Sequence, residues 1–342
     1  MSAYERVKAA LRAEPKTWLV TGAAGFIGSH LVEHLLALDQ RVIGLDDFST
    51  GHQRSLDEVK ALVTPAQWAR FQFRRGDICD EQCCREACRE VELVLHQAAM
   101  GSVPRSIAEP LAAHRINVTG FVNMLTAAKD AGVRRFVFAS SSAVYGDNPD
   151  LPKTEERIGN ALSPYAATKL ANEIYAAAFS RCYGLECVGL RYFNVFGPRQ
   201  DPEGAYAAVI PKWISALLHG APVQINGDGS TSRDFCYVEN VVQANLLAAT
   251  TRDSAALNQV FNIAVGERTT LKELLGELQA SLRAVIPELP ASPVHHADFR
   301  PGDILHSLAD ISKARRRLAF APTHSVAQGL ARSMDWYRRN LS

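Results

Sequence analysis

At 342 residues, the chain is longer than the roughly 100 to 200 residues of a usual domain, so we expect one enlarged α/β domain or two closely joined lobes. Its 47% hydrophobic and 21% charged residues are typical of a globular protein and exclude a disordered or fibrous chain. The 37 lysine and arginine residues nearly balance 36 acidic ones, which gives a net charge of +1. Such a chain lacks the positive field that attracts nucleic acid or an anionic membrane, so we expect neither as a partner and favour a small ligand.

Residues 1–16 predict a short, charged helix without the apolar centre of a signal peptide. No later stretch is apolar for long enough to cross a bilayer, so we expect a cytoplasmic protein. Four of the seven cysteines lie close together, at Cys79, Cys83, Cys84 and Cys88. Their spacing is not that of paired zinc knuckles, since Cys83 and Cys84 would point about 100° apart on a helix. Reduced thiols are therefore favoured over a metal site.

Short apolar runs alternate with helical patterns through the first 200 residues. The runs that predict strands are residues 18–20, 41–45, 71–74, 93–96, 136–140 and 187–191. A glycine turn and a helix over 27–38 follow the first run. Near-uniformly apolar strands that alternate with helices indicate a parallel sheet covered on both faces. We therefore predict an α/β fold with a doubly wound parallel Rossmann sheet.

After Gly197 this rhythm breaks into segments that contain proline and glycine, which indicates a smaller, interleaved C-terminal α/β lobe. We assign residues 1–200, and a later return at about 234–262, to the sheet domain. The second lobe then consists of residues 201–233 and 263–342.

A glycine-rich turn follows the first predicted strand and opens the first helix. Gly22, Gly25 and Gly28 in this turn leave room for backbone N–H groups to approach a pyrophosphate. Asp46 ends the second strand 18 residues after Gly28, close to the roughly 20 expected for a carboxylate that binds an adenosine ribose. This combination predicts a dinucleotide site. The carboxylate favours NAD over NADP because it would repel a 2′-phosphate, although the nearby Arg54 argues the other way.

Tyr165 and Lys169 are four residues apart on a predicted helix, so both project from one face. A neighbouring ammonium and a positively charged nicotinamide would favour the phenolate of a tyrosine whose ordinary pKa is near 10, which makes Tyr165 a candidate acid/base. The spacing alone also fits a solvated helix face. Three serines, Ser140 to Ser142, end a predicted strand where doubly wound folds bind ligands. A hydroxyl there could relay a proton, and a serine-rich turn is the alternative.

Together these stretches resemble the extended short-chain dehydrogenase/reductase family, and within it most closely the sugar-nucleotide 4-epimerase branch. The resemblance runs from about Lys16 to the C-terminus. Its motifs are TGAAGFIG at 21–28, GDI at 76–78, HQAA at 96–99, SSSAVYG at 140–146, YAATK at 165–169 and RYFNVFGPRQ at 191–200. It implies a Rossmann domain that binds NAD, a second lobe that binds a UDP-sugar, and a homodimer formed through the apolar helices predicted at 121–131 and 165–179.

The resemblance also implies roles for individual residues. Tyr165 and Lys169 match the family's catalytic pair, and Ser141 matches its catalytic serine or threonine, with Ser142 as a neighbouring candidate. The residues implied to hold NAD, besides Tyr165 and Lys169, are Gly22, Gly25, Phe26, Ile27, Gly28, Asp46, Asp47, Asp77, Ile78, Gln97, Ala98, Ala99 and Asn117. Those implied to hold the UDP-sugar are Gly101, Ser102, Asn194, Ala208, Val209, Arg233, Arg300, Asp303 and Ser307.

The stretch before Val144 helps to choose a reaction. Related 4,6-dehydratases carry an Asp-Glu pair there, and decarboxylating relatives carry a glutamate, whereas this chain has Ser142 and Ala143. The resemblance therefore implies reversible C4 epimerisation of a UDP-hexose through a 4-keto intermediate, which needs only one acid/base. Ser307 favours the UDP-GlcNAc/UDP-GalNAc pair, because relatives confined to non-acetylated hexoses carry a bulky tyrosine there.

Two other interpretations remain open. One is a 4-epimerase for UDP-glucose/UDP-galactose or for a UDP-uronic acid. The other is a non-catalytic dinucleotide-sensing protein that kept the fold, against which the intact Tyr165, Lys169 and Ser141 argue.

Overall fold

A computed structural model of the chain describes residues 1–201, 208–298 and 305–341. Its centre is a parallel sheet of seven strands. These are β1 (Thr17–Thr21), β2 (Arg41–Asp46), β3 (Phe71–Arg75), β4 (Leu93–His96), β5 (Arg135–Ser141), β6 (Glu186–Tyr192) and, late in the chain, β11 (Gln259–Ile263). Their order across the sheet is β3-β2-β1-β4-β5-β6-β11. The chain thus builds outward from β1 and then returns to its other side, which confirms the doubly wound α/β fold.

Helices cover both faces of this sheet and build the second lobe. The α-helices are α1 (Ala3–Ala13), α2 (Phe26–Ala37), α3 (Gln53–Leu62), α4 (Pro65–Trp68), α5 (Glu81–Ala87), α6 (Val103–Ala108), α7 (Pro110–His114), α8 (Gly120–Asp130), α9 (Pro164–Tyr183), α10 (Val209–Leu218), α11 (Val238–Thr250), α12 (Leu271–Val285), α13 (Ser312–Leu318) and α14 (Val326–Leu341). The other helical segments are a π-turn at Arg115–Thr119 and 3₁₀ turns at Ser142–Tyr145 and Ser254–Ala256. None of the helices in the described ranges combines the length and the hydrophobicity that a membrane span requires.

Short strands pair outside the central sheet. They are β7 (Val195–Phe196) with β10 (Cys236–Tyr237), β9 (Ser232–Arg233) with β12 (Thr269–Thr270), and β8 (Val223–Asn226) with β13 (Val294–Ala297).

The residues of β5 show how the sheet is buried on both faces. Phe136 and Phe138 face one side, where they pack with Phe121 of α8, while Val137 belongs to the core on the opposite side. This is why the strand is apolar at consecutive positions instead of alternating, as expected of a parallel sheet covered by helices.

The second lobe has its own core, which includes Trp213, Leu278 and Tyr337. The buried cores depart from the sequence-based division in more than one segment. Phe196 and Tyr237, which that division placed in the sheet domain, pack in the core of the second lobe. Residues 309–320, which that division placed in the second lobe, bury Ile311 and Phe320 in the core of the sheet domain instead. The chain therefore crosses back to the sheet domain before α14 returns to the lobe.

All seven cysteines are unpaired. Burial raises the pKa of the Cys79 and Cys88 thiols to about 12, so both are protonated at neutral pH and are poor metal ligands and nucleophiles. Within the described ranges, no group of three or more His, Cys, Asp or Glu side chains is arranged to hold a metal ion.

Candidate active site

A cavity of about 680 Å³ opens along the carboxyl ends of the central strands, where doubly wound folds bind their ligands. The predicted site residues in its wall are Gly22, Gly25, Phe26, Ile27, Gly28, Asp46, Asp47, Asp77, Ile78, Gln97, Ala98, Ala99, Gly101, Ser102, Ser141, Tyr165, Lys169, Asn194 and Ala208. The structure therefore brings the glycine turn, the ribose carboxylate candidate and the Tyr-Lys pair to one continuous cavity. Arg300 and Asp303 lie outside the described residues.

The glycine turn forms a cradle that side chains would fill. A Cβ atom on Gly28 would lie 1.9 Å from the Gly22 carbonyl oxygen, and one on Gly22 would lie 2.9 Å from the backbone nitrogen of Ala98. Gly25 caps the N-terminus of α2 and offers no side chain to the first N–H groups of that helix. These N–H groups and the positive end of the helix dipole suit an anionic diphosphate, so the turn fits a dinucleotide.

Asp46 is held rigidly at the end of β2. Its Oδ2 accepts a hydrogen bond from the Ala24 N–H at 2.9 Å, and its Oδ1 accepts one from the Phe48 N–H at 2.8 Å. Burial raises the pKa of this carboxyl group, against the lowering effect of the two N–H donors. Arg54 does not line the cavity. Its side chain is 55% exposed, and its guanidinium lies 3.8 Å from the Asp201 carboxylate.

Replacing Asp46 with Asn should weaken NAD binding and relax the rejection of NADP, because the carboxylate both accepts ribose hydroxyls and repels a 2′-phosphate. Fluorescence titration of apoprotein with NADH and with NADPH measures both effects. Asp57→Asn on α3 is the matched control, because Asp57 does not line the cavity. An unchanged ratio of the two affinities in Asp46→Asn would remove Asp46 from the ribose site.

The Tyr165 phenol, the Ser141 hydroxyl and the Lys169 ammonium meet at one end of the cavity. Burial raises the pKa of Tyr165, while a hydrogen bond with the Ser141 side chain lowers it. Lys169 Nζ donates to the Ala139 carbonyl oxygen at 2.9 Å and lies 5.8 Å from the centre of the Tyr165 ring. Burial lowers the pKa of Lys169 to about 8. The lysine is therefore charged at neutral pH and close enough to stabilise a tyrosinate.

Helix α9 positions this pair. Ser163 caps its N-terminus by accepting from the Ala166 N–H, and Pro164 occupies the first turn, where its missing N–H costs nothing. The Tyr165 N–H donates to the Ser106 hydroxyl at 3.0 Å, which satisfies another free donor of that turn. The helix ends at Gly184, which adopts the left-handed conformation.

Two of the predicted residues, Asn117 and Ser142, are not among those that line the cavity. The Asn117 side chain accepts from the Met100 N–H at 2.7 Å and donates to the Met100 carbonyl and to Thr168 Oγ1. It therefore braces the loop after β4 against α9, and it is buried outside the residues that line the cavity. Ser142 opens the 3₁₀ turn and is also absent from the cavity wall.

Three further predicted residues do not line the cavity that the described residues form. They are Val209, Arg233 and Ser307, all from the segments assigned to the second lobe. Val209 begins α10. The Arg233 guanidinium donates to the carbonyl oxygens of Ser232 and Leu305, at 3.0 and 3.2 Å. The Ser307 N–H donates to the same Ser232 carbonyl at 3.0 Å, so this segment is fixed alongside β9.

Sequence reasoning did not single out Tyr192 or Arg199, both of which line the cavity. The Tyr192 hydroxyl donates to Gln97 Oε1 at 3.1 Å and accepts from Asn245 Nδ2 at 2.9 Å, and Gln97 Nε2 donates to Asn245 Oδ1 at 3.2 Å. This closed ring fixes the Gln97 side chain in the wall. Arg199 is held by Glu33 of α2. Both residues fall within the stretch 191–200, and no local pattern distinguishes them from its structural residues.

The family profile described as the NAD dependent epimerase/dehydratase family matches residues 18–264. The chain is 38% identical to a UDP-glucose 4-epimerase of Mycolicibacterium smegmatis, over 94% of this chain and 98% of that protein. It is also 34% identical to a dTDP-glucose 4,6-dehydratase of Streptomyces griseus, over 95% of this chain and 94% of that protein.

Solved structures show the same likeness. A UDP-N-acetylglucosamine 4-epimerase of Methanobrevibacter ruminantium in complex with UDP-N-acetylmuramic acid has a TM-score of 0.85 and 38% identity, covering 95% of this chain and 99% of that chain. A Thermus thermophilus UDP-glucose 4-epimerase in complex with NAD has a TM-score of 0.81 and 35% identity, covering 95% and 99%.

The fold and the cavity define a dinucleotide-dependent enzyme of the extended short-chain dehydrogenase/reductase class. More narrowly, the chain belongs to the NAD dependent epimerase/dehydratase family. Its cofactor is NAD, which the glycine cradle and the Asp46 carboxylate fit.

Proposed function

We propose that this chain is an NAD-dependent UDP-sugar 4-epimerase whose preferred substrates are UDP-GlcNAc and UDP-GalNAc. The observation that carries the proposal is the meeting of Tyr165, Ser141 and Lys169 at one end of the cavity. Relatives include both epimerases and a dehydratase, so the site must distinguish the two reactions. Ser142 and Ala143 stand where related dehydratases carry an acidic pair, and elimination of water lacks its acid and base.

When bound, NAD supplies the acceptor and donor of the hydride at C4 of the sugar. The chain's own residues handle the proton. Ser141, which hydrogen-bonds to Tyr165, relays the proton of the C4 hydroxyl to the phenolate and returns it when the 4-keto sugar is reduced on its opposite face. The Lys169 ammonium favours the phenolate, and its bond to the Ala139 carbonyl keeps the charge in place.

Inversion requires the keto sugar to turn while its nucleotide stays bound. We assign the diphosphate to Asn194, whose Nδ2 donates to the Asp234 carbonyl at 2.9 Å, which fixes the side chain in the wall. The resemblance also implies Arg233, Arg300 and Asp303 at the UDP and Gly101, Ser102 and Ser307 around the sugar. Of these six, Gly101 and Ser102 line the cavity, and Arg300 and Asp303 lie outside the described residues. Gly101 has no neighbouring atom within 4 Å of where a Cβ would lie, which supports room for a substituent on the ring.

The proposal is tested by incubating the purified protein separately with UDP-GlcNAc, UDP-glucose and UDP-glucuronic acid and resolving the products by chromatography. We expect UDP-GalNAc to form with the highest kcat/KM. Faster conversion of UDP-glucose or UDP-glucuronic acid would assign the enzyme to another substrate while keeping the reaction. No conversion of any UDP-sugar, despite bound NAD, would overturn the epimerase assignment.

We also propose a homodimer, formed by a face of α6, α7 and α9. Large apolar side chains on these helices are exposed: Ile107 at 61%, Leu111 at 85% and Ile174 at 63%. The apolar residues of α8 differ, since Phe121 and Met124 are buried within the monomer and leave little apolar surface on that helix. An apolar face of this kind is typical of a protein interface.

Ile174→Lys should shift the protein from dimer to monomer, because it places a charge among the exposed apolar side chains of the proposed interface. Sedimentation velocity measures the shift. Leu62→Lys on α3 is the control, since Leu62 is similarly exposed at 65% but lies outside that face. A wild type that sediments as a monomer, or an equal change in both variants, would contradict the interface.

A further inference from the structure

A row of polar residues crosses the carboxyl end of the sheet beside the active site. Ser140 of β5 pairs in register with Arg191 of β6, which in turn pairs with Asn262 of β11. All three are buried, with exposures of 2%, 3% and 0%. Polar side chains at this depth require partners, and each of these has them.

Glu173 of α9 lies over the middle of this row. Its carboxylate accepts two hydrogen bonds from the Arg191 guanidinium, one from Nε to Oε1 at 2.9 Å and one from Nη2 to Oε2 at 2.7 Å. The Ser140 hydroxyl donates to the same Oε1 at 2.5 Å. One carboxylate therefore joins the catalytic helix to two neighbouring strands through three hydrogen bonds, two of them in the planar fork that only arginine forms.

The remaining donors of Arg191 are also satisfied. Nη1 donates to the Tyr145 hydroxyl and to the Glu155 carbonyl, both at 3.0 Å, and the Tyr145 hydroxyl donates to Asn262 Oδ1 at 2.6 Å. The titratable groups around the pair are thus Tyr145 of the 3₁₀ turn, Glu155, whose own carboxylate accepts from the Asn262 N–H, and Lys169, one turn before Glu173 on α9. A buried ion pair contributes little net stability compared with apolar residues of the same volume, so its role here is better sought in geometry.

We propose that Glu173 and Arg191 are the positioning pair of the active site: they fix α9, and with it Tyr165 and Lys169, against the strand that carries Ser141. Glu173 follows Lys169 by one helical turn and Tyr165 by two, so all three project from one face of α9. Ser140, the partner on β5, is the residue before Ser141. The proton relay spans two elements, and this pair joins them one helical turn beyond the bond between Lys169 and the Ala139 carbonyl. The inference rests on the epimerase mechanism proposed above.

If the pair positions the catalytic residues and does not merely stabilise the fold, Glu173→Gln should have two effects. Glu173→Gln keeps the shape of the side chain but loosens the fork, so kcat should fall about 10- to 100-fold while KM and NAD content stay within twofold. It also removes the negative charge of Glu173, which lies about 12 Å along the helix from Tyr165 at about 1.5 Å per residue, and leaves the Arg191 charge uncompensated. This change of charge should lower the pKa of Tyr165 by about half a unit.

The expected change in the pKa of Tyr165 can be measured without any assay of enzyme activity. Ultraviolet pH titration of tyrosinate, taken as the difference between each protein and its Tyr165→Phe counterpart, reports the ionisation of Tyr165 alone. If the epimerase assignment fails, no protein will turn over a UDP-sugar, but this titration still shows whether the pair acts on Tyr165. The two failures are therefore distinguishable.

The chain provides a matched control on the same two strands. Arg135 of β5 and Glu186 at the start of β6 form a bond of 2.7 Å at the opposite end of the strands, away from the cavity. Glu186→Gln should leave kcat within twofold and the Tyr165 titration unchanged. Arg191→Lys is the second test variant, because it keeps the charge but cannot form the fork. It should lose kcat as Glu173→Gln does, without the shift in the pKa of Tyr165.

Far-ultraviolet circular dichroism verifies folding before each assay. The proposal is supported by a kcat loss in Glu173→Gln and Arg191→Lys together with a lowered pKa of Tyr165 in the former alone. It is overturned if both folded variants keep kcat within twofold of wild type, or if Glu186→Gln loses as much. If Glu173→Gln does not fold, Arg191→Lys against Glu186→Gln decides the question by the same kcat criterion.

Discussion

Tyr165→Phe should lower turnover by roughly 10²-fold or more while leaving UDP-sugar affinity nearly unchanged. The substitution removes one oxygen from a side chain that lines the cavity and keeps the ring beside Lys169. The variant should lose proton transfer but keep the binding of the UDP-sugar, because neither the glycine turn nor the proposed uridine contacts involve the Tyr165 hydroxyl. The loss should therefore appear in kcat and not in KM.

Steady-state kinetics on both UDP-sugar pairs, with the NAD content of each preparation measured after denaturation, tests this expectation. Tyr192→Phe is an informative control, because Tyr192 lines the same cavity but its hydroxyl is engaged with Gln97 and Asn245. It should change turnover far less. A Tyr165→Phe enzyme that keeps more than about half of the wild-type turnover would rule out Tyr165 as the acid/base.

The sequence was sufficient to predict the sheet domain because its signals are local. Each of β1 to β6 contains a short, largely apolar run that stands out in the sequence, and the structure places each strand within one or two residues of the predicted bounds. The role of the glycine turn is equally local, since Gly28 is required where a Cβ would lie 1.9 Å from the Gly22 carbonyl oxygen.

The second lobe could not be predicted in this way. Its strands β7, β9, β10 and β12 are two residues long, which is too short for any periodic pattern. Likewise, the return of Ile311 and Phe320 to the sheet core depends on pairings such as the Lys153 N–H with the Leu308 carbonyl at 2.7 Å. Such contacts join residues far apart in the chain, so no window of sequence contains them.

The same limit applies within the active site. The spacing of Tyr165 and Lys169 is a helical pattern and is visible in the sequence, whereas the pairing of Glu173 with Arg191 joins a helix to a strand 18 residues away. Glu173 by itself is indistinguishable from a solvated glutamate on a helix. Only the folded structure shows that its carboxylate is buried and shared by Ser140 and Arg191.

Ser307→Tyr should abolish most activity toward UDP-GlcNAc and UDP-GalNAc while keeping turnover of UDP-glucose and UDP-galactose, because the added ring obstructs only the larger C2 substituent. Backbone bonds hold the segment at the substituted residue and two residues after it. The Ser307 N–H donates to the Ser232 carbonyl at 3.0 Å, and the Ala309 N–H donates to the buried Asp234 carboxylate at 3.2 Å.

These bonds oppose a backbone shift that would relieve a clash, so we expect a tyrosine at this position to project from where the serine does now. An N-acetyl group has to pass the proposed sugar-pocket wall in both orientations of the turning ring, so both directions of the reaction should be blocked. Measuring kcat/KM for both sugar pairs on wild type, Ser307→Tyr and Ser307→Ala decides the matter, with the alanine variant expected to behave as wild type. An equal loss on the two sugar pairs, or a wild type that does not convert acetylated sugars, would show that Ser307 does not control which sugar enters.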